Sequence, residues 1–125
     1  MLSRRGARRT ALFLLYQWDL TRQPLGTNYE GEIDEFARGL AEAVAERAEA
    51  LDERISSVSG DWPAKQLGTL ERNILRIGVY ELEQGTVPVE VAIDEAVTLA
   101  KRYASDEAGR LVNGILGRIA REHVA

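Results

Sequence analysis

The segment that most constrains the fold is residues 70–82, LERNILRIGVYEL. Apolar residues recur in it at helical spacing and, at roughly 100° per residue, cover an arc of about 200°. A surface helix carries a narrower apolar stripe than this. The segment is therefore predicted to form a central helix that is packed on most sides. Its polar residues are predicted to form one narrow strip exposed to water: Arg72, Asn73, Arg76 and Glu83.

Two acidic residues of this segment, Glu71 and Glu81, project from the apolar arc rather than from the polar strip. A buried carboxylate requires a partner, because its desolvation is otherwise too costly. Two interpretations remain open for each residue. One is an ion pair with an arginine of the same chain, and the other is a surface that binds another molecule.

The rest of the chain is also predicted to be helical. Apolar residues keep helical spacing in a first segment up to Trp18, throughout residues 32–58, from Pro88 to Tyr103, and in a last segment capped by Ser105. No segment alternates with period two for long enough to form a strand. The 125 residues fit one domain. The sequence therefore predicts an all-α chain of five or six helices in a single domain, residues 1–125.

Local chemistry predicts several helix boundaries. Ser3 and Thr69 are expected to cap the first and the central helix, and Gly85 is expected to end the central helix in a left-handed conformation. Residues 32–58 form either one long helix or two helices with a bend near Gly39. Trp62 precedes a proline, so it is expected to be extended and to anchor the core.

Two glycines of the last helix also call for an explanation. Gly114 and Gly117 each cost a helix about 1 kcal/mol relative to alanine. Close helix packing, or a ligand that approaches the backbone, is expected to compensate for this cost.

Composition excludes several classes of function. The chain has no cysteine, which suits a cytoplasmic protein, and its single histidine, His123, is expected to be solvated near the chain end. No phosphate-binding glycine motif and no cluster at metal-ligand spacing is present, so neither a cofactor nor a metal is expected. No apolar run approaches 18 residues, and no signal peptide is recognisable. We therefore expect a cytoplasmic protein that is not an enzyme and does not contact a membrane.

The net charge of −4 conceals an uneven distribution. The first ten residues contain four arginines and no acidic residue, whereas residues 30–53 are strongly acidic. Like charges four residues apart, at the positively polarised start of a helix, destabilise that helix. Local helix stability thus does not account for these arginines, but a bound polyanion would. The alternative is a frayed, solvated basic start. The four residues are Arg4, Arg5, Arg8 and Arg9.

A second basic cluster lies around the junction of the last two helices. If the first helix packs near this junction, the two clusters merge, and Tyr103 adds an aromatic face beside them. Cations neutralise phosphates and an aromatic ring stacks on bases, which is what single-stranded RNA requires. The alternative for Tyr103 is a place at the edge of the core. The basic residues of this cluster are Lys101, Arg102, Arg110, Arg118 and Arg121.

Four segments together closely resemble the NusB family of transcription antitermination factors: RRGARRTALFLLYQWDL, ERNILRIGVYEL, VPVEVAIDEAVTLAKRYA and RLVNGIL. The resemblance implies a compact bundle of five to seven helices in two helical subdomains. It implies that the chain pairs with NusE, a ribosomal protein of the small subunit. It also implies that the pair binds the box A element of ribosomal RNA leader transcripts within the antitermination complex on RNA polymerase.

The resemblance also implies site residues, which lie at the start of the first helix and around the junction of the last two helices. Leu111 stands where the family often has a second aromatic residue, and Ala104 where it often has glycine. Both changes bear on base stacking at this point. The resemblance and the charge pattern together predict the following RNA contacts: Arg4, Arg5, Arg8, Arg9, Lys101, Arg102, Tyr103, Glu107, Arg110 and Leu111. The predicted contacts with NusE are Tyr16 and Glu71.

Two other functions remain open at this stage. The chain could be a self-associating helical module, such as a homodimer that uses Tyr16 and Trp18. It could also be a detached RNA-binding domain related to the one fused to ribosomal RNA cytosine methyltransferases. It has no cysteine nucleophile and no cofactor motif, so it could not itself catalyse methyl transfer.

Overall fold

The computed structural model describes residues 4–60 and 67–124, with side chains as far as residue 122. In these ranges the chain forms six α-helices and no strand, which confirms the all-α prediction. The predictions for Ser3, for Trp62 and for the side chain of His123 lie outside the described residues. The helices are α1 (Arg4–Thr21), α2 (Glu35–Glu46), α3 (Ala48–Val58), α4 (Thr69–Gln84), α5 (Val89–Tyr103) and α6 (Asp106–Val124).

Helix α4 is the centre of the bundle, as its wide apolar arc predicts. It packs against every other helix, and Ile74, Leu75 and Val79 are completely buried. Gly78 allows the closest approach, because a Cβ atom at this position would lie 2.6 Å from Cδ1 of Leu116 in α6.

In the part of the chain described, none of the helices has the apolar length that a membrane crossing requires.

The polar strip of α4 is exposed at Glu83, but the prediction was wrong for Asn73 and Arg76. Asn73 is completely buried and Arg76 is only 5% exposed. The prediction failed because the periodicity of α4 shows which residues are polar but not what faces them. Here the neighbours supply carboxylates: Asp19 of α1 accepts hydrogen bonds from Asn73 and Arg76, and Asp52 of α3 accepts two from Arg76.

The acidic segment forms two helices that meet at Arg47, so the predicted bend near Gly39 was wrong. The backbone N–H of Arg47 donates to the carbonyl oxygens of Ala43 and Val44, and its φ of −105° and ψ of 13° end the regular helix there. The apolar spacing runs through this point without interruption, which hides the break. Gly39 lies inside α2, and no atom would contact a Cβ placed there within 4 Å.

Four of the predicted boundaries can be compared with the structure. Gly85 ends α4 in the left-handed region, with φ of 66° and ψ of 19°. Tyr103 ends α5, and Ser105 caps α6, since its Oγ accepts a hydrogen bond from the N–H of Ala108 at 3.0 Å. The prediction for Thr69 was wrong by one residue, because Gly68 occupies the cap position.

Close helix packing, the first explanation expected for Gly114 and Gly117, was also wrong. No described atom lies within 4 Å of a Cβ built on Gly114, and only the flexible side chain of Arg121 approaches one built on Gly117. The glycine of α6 that is closely packed is Gly109, where a Cβ would lie 2.7 Å from Cγ of Lys101 in α5. Gly109 therefore lets α5 and α6 meet closely just after their junction.

Candidate nucleic-acid interface

The start of α1 lies near α5, which brings Arg5 and Arg9 of the first predicted basic cluster beside Arg102 of the second. Nε and one terminal nitrogen of Arg5 donate hydrogen bonds to the carboxylate of Glu95, at distances of 3.0–3.3 Å. Two turns further along α1, the ring of Phe13 meets that of Tyr103 edge to face, with centroids 5.2 Å apart. The two clusters, which the sequence predicts to merge, therefore meet only in part, through Arg5, Arg9 and Arg102.

Between these helices lies a groove of about 180 Å³, which we call the basic groove. Its walls include Arg5, Arg9, Glu95, Arg102 and Tyr103. The guanidinium of Arg102 lies 5.7 Å from the centre of the Tyr103 ring, a cation–π contact. Among the described residues, no carboxylate pairs with Arg9 or Arg102. The groove thus offers two unneutralised cations and one aromatic ring.

Arg5 lies on the rim of this groove and is held in one orientation. Its side chain is 73% exposed, whereas that of Glu95 is only 14% exposed. The hydrogen bonds that Arg5 donates to Glu95, and then the charge of Glu95, raise the pKa of Arg5 above its ordinary value. Arg5 has further N–H donors that these bonds do not use. It can therefore still donate to an anion in the groove.

Arg8 was predicted to contact RNA, but the structure buries it. Only 3% of the residue is exposed, and its guanidinium makes three hydrogen bonds of 2.8–3.0 Å with the carboxylate of Glu81. This pair confirms the intramolecular interpretation of Glu81. Arg8 lies three and seven residues before Ala11 and Leu15, which are both buried. Its position on the inner face of α1 was therefore readable from the sequence.

Contacts with other helices account for three of the four arginines, which local helix stability does not explain. The guanidinium of Arg4 lies 5.0 Å from the centre of the Phe36 ring in α2. Arg5 and Arg8 have their ion pairs. Within the described ranges neither Arg4 nor Arg9 has an ion pair, and Arg9 also has no aromatic contact there, so its positive charge is the least compensated of the four.

A second groove of about 410 Å³ lies between the start of α4 and the junction of α5 and α6, and we call it the junction groove. Glu71, Ala104, Glu107 and Leu111 are among the residues that line it. The structure thus places a predicted NusE contact, Glu71, beside two predicted RNA contacts, Glu107 and Leu111. No arginine of the described chain pairs with Glu71, whose side chain is half-buried and lies against Gly68.

The other predicted site residues are spread more widely. Lys101 is exposed and packs across Gly109, and Arg110 is exposed on α6. Tyr16 is half-buried on α1. Arg118 belongs to a different part of the surface, because it pairs with Glu122, which also binds Arg54 of α3. Through Arg54, Glu122 thus links this part of α6 to α3.

The sequence did not reveal the buried polar cluster that ties α1, α3 and α4 together. Burial alone would raise the pKa of Asp19, but the hydrogen bond from Arg72 and the charge of Arg76 outweigh it, so the pKa is lowered. The pKa of Arg76 is raised above its ordinary value despite its burial, because Asp52 and Asp19 both hold its charged form. These groups are mutually satisfied, so the cluster is structural.

In the described chain, no group of acidic, histidine or cysteine residues is placed to hold a metal ion.

Comparison with known proteins gives a consistent result. The model of the NusB family matches residues 5–121. A transcription antitermination protein NusB from Rubrobacter xylanophilus is 40% identical over 122 residues, which is 92% of this chain and 88% of the relative. The structure of NusB from T. maritima superposes with a TM-score of 0.85 at 34% identity and covers 99% of this chain and 94% of that one. A crystal structure of the antitermination factors NusB and NusE with double-stranded RNA contains a chain that superposes with a TM-score of 0.82 at 32% identity, covering 95% and 96%.

Proposed function

This chain belongs to the NusB family, and on that basis we propose that it binds box A RNA of ribosomal RNA leader transcripts together with the ribosomal protein NusE. As a member of the family it is a transcription antitermination factor and not an enzyme. The proposal places the RNA–protein assembly in the antitermination complex on RNA polymerase, in the cytoplasm. The residues proposed to contact RNA and NusE are chosen from the geometry of the basic groove and the junction groove.

The observation that carries the RNA part of the proposal is the basic groove. Arg9 and Arg102 present charges that no carboxylate of the described chain neutralises, and phosphate contacts by such side chains supply most of the affinity for nucleic acids. Tyr103 offers a ring on which a base can stack. Arg5 is exposed and oriented by Glu95. Backbone neutralisation and base stacking in one groove are what a single strand needs.

The observation that supports the NusE part is the carboxylate of Glu71 in the junction groove, which no arginine of the described chain neutralises. A partner that places a cation or a hydrogen-bond donor on Glu71 would lie next to Glu107 and Leu111. RNA bound at those residues would then touch the partner as well. A shared groove of this kind explains why the two ligands would strengthen each other's binding, since binding free energies are reciprocally coupled.

The test is equilibrium binding of the purified chain to a box A-like single strand at two salt concentrations, with and without NusE. The controls are a strand of the same composition in scrambled order and a duplex of the same sequence. We expect tighter binding to the box A strand than to either control, and a further gain with NusE. Binding that is sensitive to salt but indifferent to sequence and to NusE would contradict the proposal and leave only a general affinity for polyanions.

A further inference from the structure

A second groove that combines an arginine with an aromatic ring lies on the other side of the α1 start. It has a volume of about 350 Å³ and lies between α1, α2 and the end of α4. Arg4 and Phe36 form one side of it, and Tyr80 and Gln84 belong to α4. We call it the α2 groove. Phe36 keeps the helical spacing of the apolar residues in 32–58, and neither the charge pattern nor the family resemblance pointed to this groove.

Phe36 is unusual for a residue with that spacing. It is 45% exposed, although it precedes Ala37 and Leu40, which are buried. The guanidinium of Arg4 lies 5.0 Å from its ring centre. The same combination of an arginine and an aromatic ring occurs in the basic groove, where Arg102 lies 5.7 Å from the ring centre of Tyr103. The start of α1 is therefore flanked by two grooves of similar chemistry.

The charges around the α2 groove limit what it can hold. Glu81 lines the groove, but Arg8 neutralises its carboxylate. Glu35 and Glu83 are exposed on the neighbouring parts of α2 and α4, and only Glu83 has an arginine partner, Arg47. A run of phosphates along α2 would be repelled by these acids. The groove fits instead an uncharged planar ring, with at most one phosphate beside it at Arg4.

We propose that the α2 groove is a base-binding subsite, in which a nucleobase of a bound RNA strand stacks on Phe36 while Arg4 holds the adjoining phosphate. This inference rests on the proposed function, because it extends the same RNA strand beyond the basic groove. The geometry allows one strand to reach both grooves. Arg4 and Arg5 are consecutive on α1, about 1.5 Å apart along the helix axis; Arg4 contacts Phe36 of α2, whereas Arg5 pairs with Glu95 of α5. The strand would therefore cross the start of α1.

The groove can be altered without disturbing the core. Phe36→Leu removes the ring and keeps apolar bulk. Gly39→Leu adds a side chain at an exposed position that lines the groove and has no neighbouring atom within 4 Å. Because glycine is a poor helix former, this change does not weaken α2. Ala50→Leu is the matched control, since it adds the same apolar bulk at an exposed position of α3, away from the groove.

The experiment compares two RNA strands: a short one that fills only the basic groove, and the same strand extended by a few nucleotides at either end. The extended strand carries 2-aminopurine at the added positions, so that stacking on Phe36 quenches its fluorescence. In the unaltered chain we expect the extension to raise affinity about tenfold, the size of one stacked base. Phe36→Leu and Gly39→Leu are expected to abolish this gain and the quenching, whereas Ala50→Leu keeps both. None of the three changes should alter binding of the short strand.

Two results would overturn the inference, and they are distinguishable. If the short strand binds but extension gives no gain, or the gain survives both groove variants, the α2 groove is not a subsite and the proposed function stands. If the short strand does not bind at all, the proposed function fails and the subsite fails with it. A thermal melt of each variant verifies that it is folded before binding is measured.

Discussion

Arg8 and Glu81 form a buried ion pair in which Nε and one terminal nitrogen of the arginine meet both carboxylate oxygens, at 2.8–3.0 Å. The pair joins the first helix of the chain to the central one. An arginine that belongs by sequence to a basic cluster therefore works as part of the fold. This separates the arginines of α1 into one that holds the helix in place and others that face outward.

The first prediction concerns the stability that depends on this pair. Arg8→Ala leaves the carboxylate of Glu81 buried without a partner, and we expect it to lower the free energy of unfolding by about 3–5 kcal/mol. The double variant Arg8→Met/Glu81→Leu removes both charges and keeps apolar volume, so it should recover most of that loss. Urea denaturation of the three proteins measures this. A single variant as stable as the unaltered chain would show that the pair contributes nothing.

The second prediction is the response of the fold to acid. The pKa of Asp19 is lowered in the folded chain by its hydrogen bonds and ion pairs, so its contribution to stability is complete above the unfolded pKa of about 3.9. That contribution is lost as the pH falls through the lower, folded pKa. Asp19→Asn cannot titrate, and it should therefore lose less stability than the unaltered chain between pH 5 and the acid limit. Denaturant unfolding at a series of pH values compares the two slopes, and equal slopes would refute the assignment.

The third prediction uses two glycines in different surroundings. Gly78→Ala places a Cβ 2.6 Å from the side chain of Leu116, and overpacking of this kind costs about 1–3 kcal/mol. Gly39→Ala meets open space and should stabilise α2 by about 0.5–1 kcal/mol. Thermal melts of both variants give opposite shifts if the packing of α4 on α6 is as described. Shifts of the same sign would contradict it.

The fourth prediction separates the two ligands. Glu71→Gln removes one of the two carboxylate charges of the junction groove but keeps the shape of the groove, so we expect weaker binding of NusE with little change in the affinity for RNA alone. Calorimetry with NusE and a separate RNA titration measure the two effects. Glu83→Gln is the control, because that carboxylate is exposed at the far end of the same helix. An equal loss in both variants would mean that only the overall charge of α4 matters.

The sequence predicts the helices well because their apolar spacing reports burial directly. The cap at Ser105 and the left-handed stop at Gly85 were also readable, since each depends on the chemistry of one residue. Apolar spacing does not predict the burial of polar side chains. Asn73 and Arg76 are expected to be exposed to solvent unless the carboxylates on α1 and α3 that bind them are known, and those carboxylates lie far away in the sequence.

The candidate site shows the same limit. A cluster of arginines predicts a basic end, but only the packing of α1 against α5 and α4 decides which of them are free. Glu95 and Glu81 lie about 90 and 73 residues from their partners in the chain, and no local pattern connects them. The sequence also did not reveal that the ring of Phe36 is exposed, because an apolar residue at helical spacing is assumed to be buried.

The central claim is that RNA is bound in the basic groove, and one comparison tests it most directly. The affinity for a box A-like strand is measured across a series of salt concentrations for the unaltered chain, Arg9→Ala, Arg102→Ala and Arg118→Ala. Arg118 is the matched control, because it lies on α6 and pairs with Glu122. We predict that the first two changes weaken binding and each lower the salt slope by about 1, whereas Arg118→Ala changes neither. Equal effects of all three changes, or none, would contradict the assignment of the groove.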